Sequence, residues 1–211
     1  MKSPTLVVVV LATILISVMA GCGPSSVQAT ETPEEVARRE LPIWLQGIHT
    51  SYGIQSDQEV ATATLGTPFE VRTLLPGAIT SYRPGQALKN TFQQDTYLEF
   101  PIVVNGEGRG LLTVAQRGGR WEVVGLGKQA LARDLVEFQK QKGNTNEPFQ
   151  LVRVDSMFGN FVLEGDQGKE VLIPMTRVRG LDEAPELYLR KPQPARDLIP
   201  KLAKALAGLE N

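Results

Sequence analysis

One cysteine and one histidine occur in 211 residues, Cys22 and His49. A lone cysteine excludes an intrachain disulfide, so the fold must be held by its core alone. Zinc sites of the usual kinds draw on several Cys and His ligands, and the chain does not supply them, so no metal is expected. Ser/His/Asp chemistry could use only His49, whose setting "GIHTSYG" has no nucleophile-elbow pattern. His49 reads as a surface or capping residue. Basic clusters are missing as well: 22 Lys and Arg stand against 23 Asp and Glu, the net charge is −1, and no Lys/Arg block occurs. Nucleic acid is therefore not an expected partner. Aromatics make up 6% of the chain; Trp44 and Trp121 fall where they pack against a helix face and a sheet.

What is present begins at the N-terminus. Lys2 precedes a charge-free apolar run from Leu6 to Ala20. Its 15 residues fall short of the roughly 20 that a bilayer-spanning helix needs, and they match a signal-peptide core behind a positive n-region. Residues 1–21 are thus expected to be a signal peptide. The sequence Met19-Ala20-Gly21-Cys22 that follows resembles the lipobox of bacterial lipoproteins, with Met19 where Leu is usual. The resemblance implies cleavage between Gly21 and Cys22, a diacylglycerol on the Cys22 thiol, acylation with palmitate-type chains, and hence a membrane anchor. Two or three such chains hold firmly where one is marginal. Residues 22–31 contain "GPSSVQATE", a small-polar stretch expected to be a flexible tether of about 15–18 Å root-mean-square span. Gly23, in place of Asp after the cysteine, implies by analogy the outer membrane facing the periplasm if the source has two membranes. Otherwise the outer face of the plasma membrane is implied.

The remaining residues, 32–211, are expected to form one α+β domain. "TPEE" is a capping box, with Thr32 as cap, Pro33 in the first position and Glu35 three residues on. Pro42 is expected to kink or end that helix. "EVATATLG" and "FEVRTLL" read as short strands, and "RPGQALKNTFQ" as a short helix. "YLEFPIVVNGEGRGLLTVAQRGGRWEVVGLG" reads as a three-stranded meander, with Asn105-Gly106 and Gly118-Gly119 as hairpin turns. A helix with Leu131, Leu135 and Phe138 on one face follows and ends at Gly143. A second meander comes next ("FQLVRVDS", "NFVLEG", "KEVLIPMTRV"), with a turn at Asp166-Gln167-Gly168. An extended piece at 186–189 and a helix capped by Asp197 close the chain. The pattern predicts antiparallel β meanders with helices packed on one face. "ARDL" at 132–135 and 195–198 is read as coincidence, and two similar sub-units, 32–143 and 144–211, stay open as an alternative.

No catalytic constellation emerges. "NGEGRG" at 105–110 superficially resembles a phosphate loop, but a strand follows it where a phosphate cradle needs a helix, so no nucleotide and no cofactor are expected. The element order resembles small envelope modules of cystatin-like or PepSY-like type, while the inhibitory hairpin of cystatins is absent and no inhibitor function carries over. The expectation is a lipid-anchored, non-enzymatic envelope protein that binds a protein, peptide or envelope component. The alternatives are a structural or assembly lipoprotein of an envelope complex and, behind it, a carboxylate-based hydrolase, which would need two facing carboxylates.

Overall fold

A computed structural model describes residues 31–93, 97–143, 148–165, 169–178, 181 and 191–209. The signal sequence, the lipobox and nearly all of the tether lie outside these residues, as do the turn expected at 166–168 and the extended piece expected at 186–189.

Helix α1 (Pro33–Leu45) opens with the expected capping box: Glu35 N donates to Thr32 Oγ1 at 3.2 Å, and Thr32 N donates to the Glu35 carboxylate at 2.8 Å. The Thr32 backbone N–H first, and its hydroxyl second at 2.8 Å, donate to the Glu35 carboxylate and hold that carboxyl below its ordinary value. Pro42 does not end the helix. Buried Leu41 and Leu45 hold the turn on either side of it, and Gln46 N still donates to Pro42 O at 3.1 Å.

The first half of the stretch expected as a first strand, Glu59 to Thr62, is helix. Ser56 Oγ accepts from Glu59 N at 3.2 Å and opens α2 (Asp57–Thr62), leaving only β1 (Thr64–Leu65) extended. A good cap and an acidic first turn outweigh the β preference of Val60 and Thr62. Strand β2 (Phe69–Leu74) precedes α3 (Pro76–Ser81), a short helix started by proline. A 3-10 turn at Leu88–Asn90 and β3 (Phe92–Gln93) follow.

The first meander is β4 (Tyr97–Val104), β5 (Glu107–Arg117) and β6 (Arg120–Gly127). Both turns carry positive φ at their two central residues, Asn105-Gly106 (53° and 77°) and Gly118-Gly119 (57° and 81°), the conformation that tight hairpins require. Helix α4 (Gln129–Lys142) ends at Gly143 and buries Leu131, Leu135 and Phe138 as its spacing predicts. The second meander is β7 (Phe149–Val154), β8 (Gly159–Glu164) and β9 (Val171–Pro174), followed by β10 (Gln193–Pro194) and α5 (Ala195–Leu209). Asp197 does not cap α5. The helix begins two residues earlier, where Ala195 N donates to Glu170 O at 2.8 Å and Ala195 and Leu198 are buried, so Pro200 lies inside the helix.

The fold is α+β. Among the described residues ten strands form one mixed, mostly antiparallel sheet in the order β10-β9-β8-β7-β2-β4-β5-β6, with β1 on β4 and β3 on β2. The two meanders flank β2, which runs antiparallel to β4 and parallel to β7. Alternation then divides the core. Phe100, Ile102 and Leu112 pack under α1, and Leu74, Val152, Phe161 and Leu172 pack under α3 and α5, all on one face. Phe69, Val71, Leu151, Val162 and Ile173 line the other face, which α4 covers.

Candidate functional site

Cys22 and Gly21, the expected lipidation and cleavage residues, lie outside the described residues. His49 is the first residue of a 3-10 turn (His49–Tyr52), half-buried, with its carbonyl accepting from Ile54 N at 3.2 Å. Among the described residues no group of three or more His, Cys, Asp or Glu side chains comes together to hold a metal ion. Asn105 to Gly110 form a hairpin leading into β5, as expected. Trp44 and Trp121 are partly buried against the core under α1.

The structure brings together a group that sequence reasoning missed. Glu99 on β4 is fully buried, and its Oε1 accepts from Arg153 Nη2 of β7 at 2.5 Å, Lys128 Nζ at 2.8 Å and Thr113 Oγ1 at 3.4 Å. Arg153 also donates to Tyr97 Oη at 3.0 Å and to Asn160 Oδ1 at 3.3 Å. Burial works against the Arg153 charge, yet Glu99 and Tyr97 outweigh it and hold the guanidinium above its ordinary value. Lys128 reaches the carboxylate from a left-handed position, φ 58°, just before α4. All these donors converge on one oxygen, and Glu99 Oε2 has no hydrogen-bond partner. The signal was in the sequence: "YLEFP" and "LVRV" each place one charge, of opposite sign, among apolar strand residues.

A second feature is concave. A trough of about 760 Å³ runs between the C-terminal half of α4, the loop joining β1 to β2, the β4–β5 turn and the first turns of α1. Its size falls in the range of about 300–1,000 Å³ typical of ligand sites. A further hollow of about 410 Å³ shares Val136 and Lys140 with it and continues past Glu107 and Arg133. The walls are set by close approach. Gln139 Nε2 donates to Thr67 O at 2.5 Å. A Cβ on Gly108 would stand 2.3 Å from Ala132 O, so only glycine lets the hairpin lie this close to α4. Acids of these hollows are paired with cations: Glu34 with Arg38 at 2.6 Å, Glu137 with Lys140 at 3.6 Å, and Glu107 with Arg109 at 3.0 Å. The trough therefore offers neighbouring charges of both signs and loop backbone, a lining suited to a polar extended chain.

No protein-family model matches the chain, and neither a curated protein nor a solved structure matches it. No helix among the described residues is long and apolar enough to cross a membrane.

Proposed function

We propose that this chain is a lipid-anchored, non-enzymatic protein of the cell envelope, held through Cys22, whose domain binds a protein, peptide or other envelope component in the trough beside α4. The observation that carries the binding role is the trough itself. It is roomy and open, and its one acidic lining residue, Glu34, is engaged with Arg38. The anchoring role rests on the apolar run from Leu6 to Ala20 and the lipobox residues Met19-Ala20-Gly21-Cys22. Glu34 and Arg38 lie in the first turns of α1, so the trough sits where the chain enters the domain. A tether of about 15–18 Å would keep such a surface close to the membrane. With two membranes in the source, Gly23 favours the outer one, facing the periplasm.

Two measurements test this. Cells expressing the chain are labelled with radioactive palmitate; label and membrane association are expected for the natural sequence and lost in Cys22→Ser. A mutant that keeps both removes the anchor. For the trough, a photo-crosslinking residue is placed at Val103, which lines it, and at exposed Lys89, which does not. A discrete partner trapped from Val103, not trapped from Lys89 and lost on Lys140→Glu is expected. Equal trapping at both positions, or none, ends the trough assignment.

A further inference from the structure

Five large apolar side chains are exposed among the described residues, and two of them, Ile43 and Ile48, fall at the end of α1 and the turn that follows it. Ile43 is 60% exposed and Ile48 41%. Packing accounts for neither. Val36, Leu41 and Leu45 carry the buried side of α1. An exposed isoleucine at position 43 has a poorer helix preference than leucine or most charged residues.

The stretch around them is unusual in a second way. From Leu41 to Ser56, sixteen residues, there is no Asp, Glu, Lys or Arg, in a chain that is 21% charged. Much of it faces solvent: Pro42, Gln46, Gly47, Thr50 and Ser51 are exposed as well. Successive turns hold it together at one end of the helix. Gln46 N donates to Pro42 O at 3.1 Å, Ile48 N to Leu45 O at 3.2 Å, Ser51 N to Ile48 O at 3.0 Å and Ile54 N to His49 O at 3.2 Å. Trp44 and Tyr52, in the same stretch, are half-buried, and Tyr52 Oη donates to Leu126 O at 3.1 Å. Trp and Tyr beside exposed aliphatics, with no charge among them, make a surface suited to the boundary of a bilayer.

We infer that this end of the domain rests on the bilayer, with Ile43 and Ile48 entering the headgroup boundary as a second membrane contact. The inference rests on the Cys22 anchor proposed above, and the length of chain outside the structure supports it. Residues 22–30 join the anchor to Glu31 beside the start of α1. Nine residues reach about 30 Å when fully extended and about 15–18 Å root-mean-square. Ile43 lies about 15 Å along the helix from Pro33, so the tether lets it touch the bilayer however α1 is tilted. Linkage by so short a tether makes the contact intramolecular, which favours the bilayer over a partner that must diffuse to the patch. The contact is apolar: the guanidinium beside Gly53, Arg109, is already paired with Glu107 at 3.0 Å. Uncharged lipid therefore suffices as the surface.

The test uses the full chain, purified from membranes in its lipidated form and reconstituted into phosphatidylcholine vesicles. Lipid occupies the thiol of Cys22, the only cysteine, so Gln46→Cys offers a single site for a nitrobenzoxadiazole dye. Lys89→Cys, exposed on the 3-10 turn at Leu88–Asn90, gives the control. With brominated acyl chains in the vesicles, emission from position 46 is expected to be quenched and emission from position 89 to be unchanged. Ile43→Ser together with Ile48→Ser is expected to abolish the quenching at position 46. Both isoleucines are exposed, so that change leaves the core intact. Dye on Cys22 of the otherwise natural chain shows that no lipid is attached there and overturns the anchor and the bilayer contact together. An acylated chain overturns the bilayer contact alone, and keeps the anchor, if position 46 is quenched no more than position 89 or if both serines leave the quenching unchanged.

Discussion

Arg153 on β7 sets its Nη2 2.5 Å from Oε1 of Glu99 on β4, reaching across the strand that lies between them, β2. The pair thus joins the two meanders on the face that α4 covers. Both groups are withdrawn from water, Glu99 entirely and the Arg153 side chain to 11% exposure. Removing one member of such a pair leaves the other uncompensated, at a cost of about 3–5 kcal/mol. Glu99→Ala is therefore expected to lower stability by that order. The double change Glu99→Leu with Arg153→Met should cost far less than the two single changes added together. Urea unfolding of the four proteins as a double-mutant cycle measures the difference, and simple additivity would show that the pair is not coupled.

Two glycines give opposite expectations. Gly108→Ala forces a Cβ to within 2.3 Å of Ala132 O, a backbone atom that cannot move unless α4 does. Overpacking of this kind costs about 1–3 kcal/mol or more. Gly77→Ala lies in α3 with open space around the added methyl, and should gain about 0.5–1 kcal/mol from helix preference. Thermal melts of the two variants should shift in opposite directions.

Tyr82 should make the fold sensitive to alkali. Burial first, then the charges of Glu170 and Asp197, raise its phenol above the ordinary value. The neutral form is favoured in the folded chain, so its contribution is fully present below the unfolded value of about 10. That contribution is lost as pH climbs from there through the raised folded value. Tyr82→Phe is expected to flatten the decline in unfolding free energy across this window and to change little at pH 7. An unaltered alkaline slope would assign the loss to other groups.

The cap of α1 is worth a local test. Thr32→Ala removes the hydroxyl that accepts from Glu35 N, and loss of an N-cap costs about 1 kcal/mol. Hydrogen exchange should accelerate at the amides of residues 34–36 first, with the sheet amides little changed.

Legibility in the sequence followed the range of the interactions. The capping box at Thr32, the two hairpin turns, the buried stripe of α4 and the terminator Gly143 depend on residues a few positions apart, and each was readable. Helix α2 was missed because "EVATATLG" alternates like a short strand, while the Ser56 cap that starts the helix lies outside that stretch. Pro42 was read by rule as a kink or an end, whereas packing of Leu41 and Leu45 carries the helix past it; Asp197 was read as the cap of α5, whereas burial of Ala195 starts that helix two residues earlier. The parallel pairing of β2 with β7 had no local sign, since Phe69 meets Phe149 across 80 positions of chain. The charge centre depended on that pairing. "LEF" and "VRV" announced buried charges, but only the parallel register places Arg153 where it can reach Glu99. The trough was unreadable for the same reason, being made of four segments that meet only when the sheet is assembled.

Strand β2 also sets an order in time. It is made early in the chain, but one of its long sides waits for β7, which begins at Phe149. Until then the N-terminal meander can form on the β4 side, while Val71 and its neighbours present an open, apolar strand edge of the kind that templates aggregation. Non-local pairing of this sort folds slowly. A chain cut short before Phe149 would keep that edge permanently open, so fragments ending there should be insoluble even though they carry a complete hairpin system of their own.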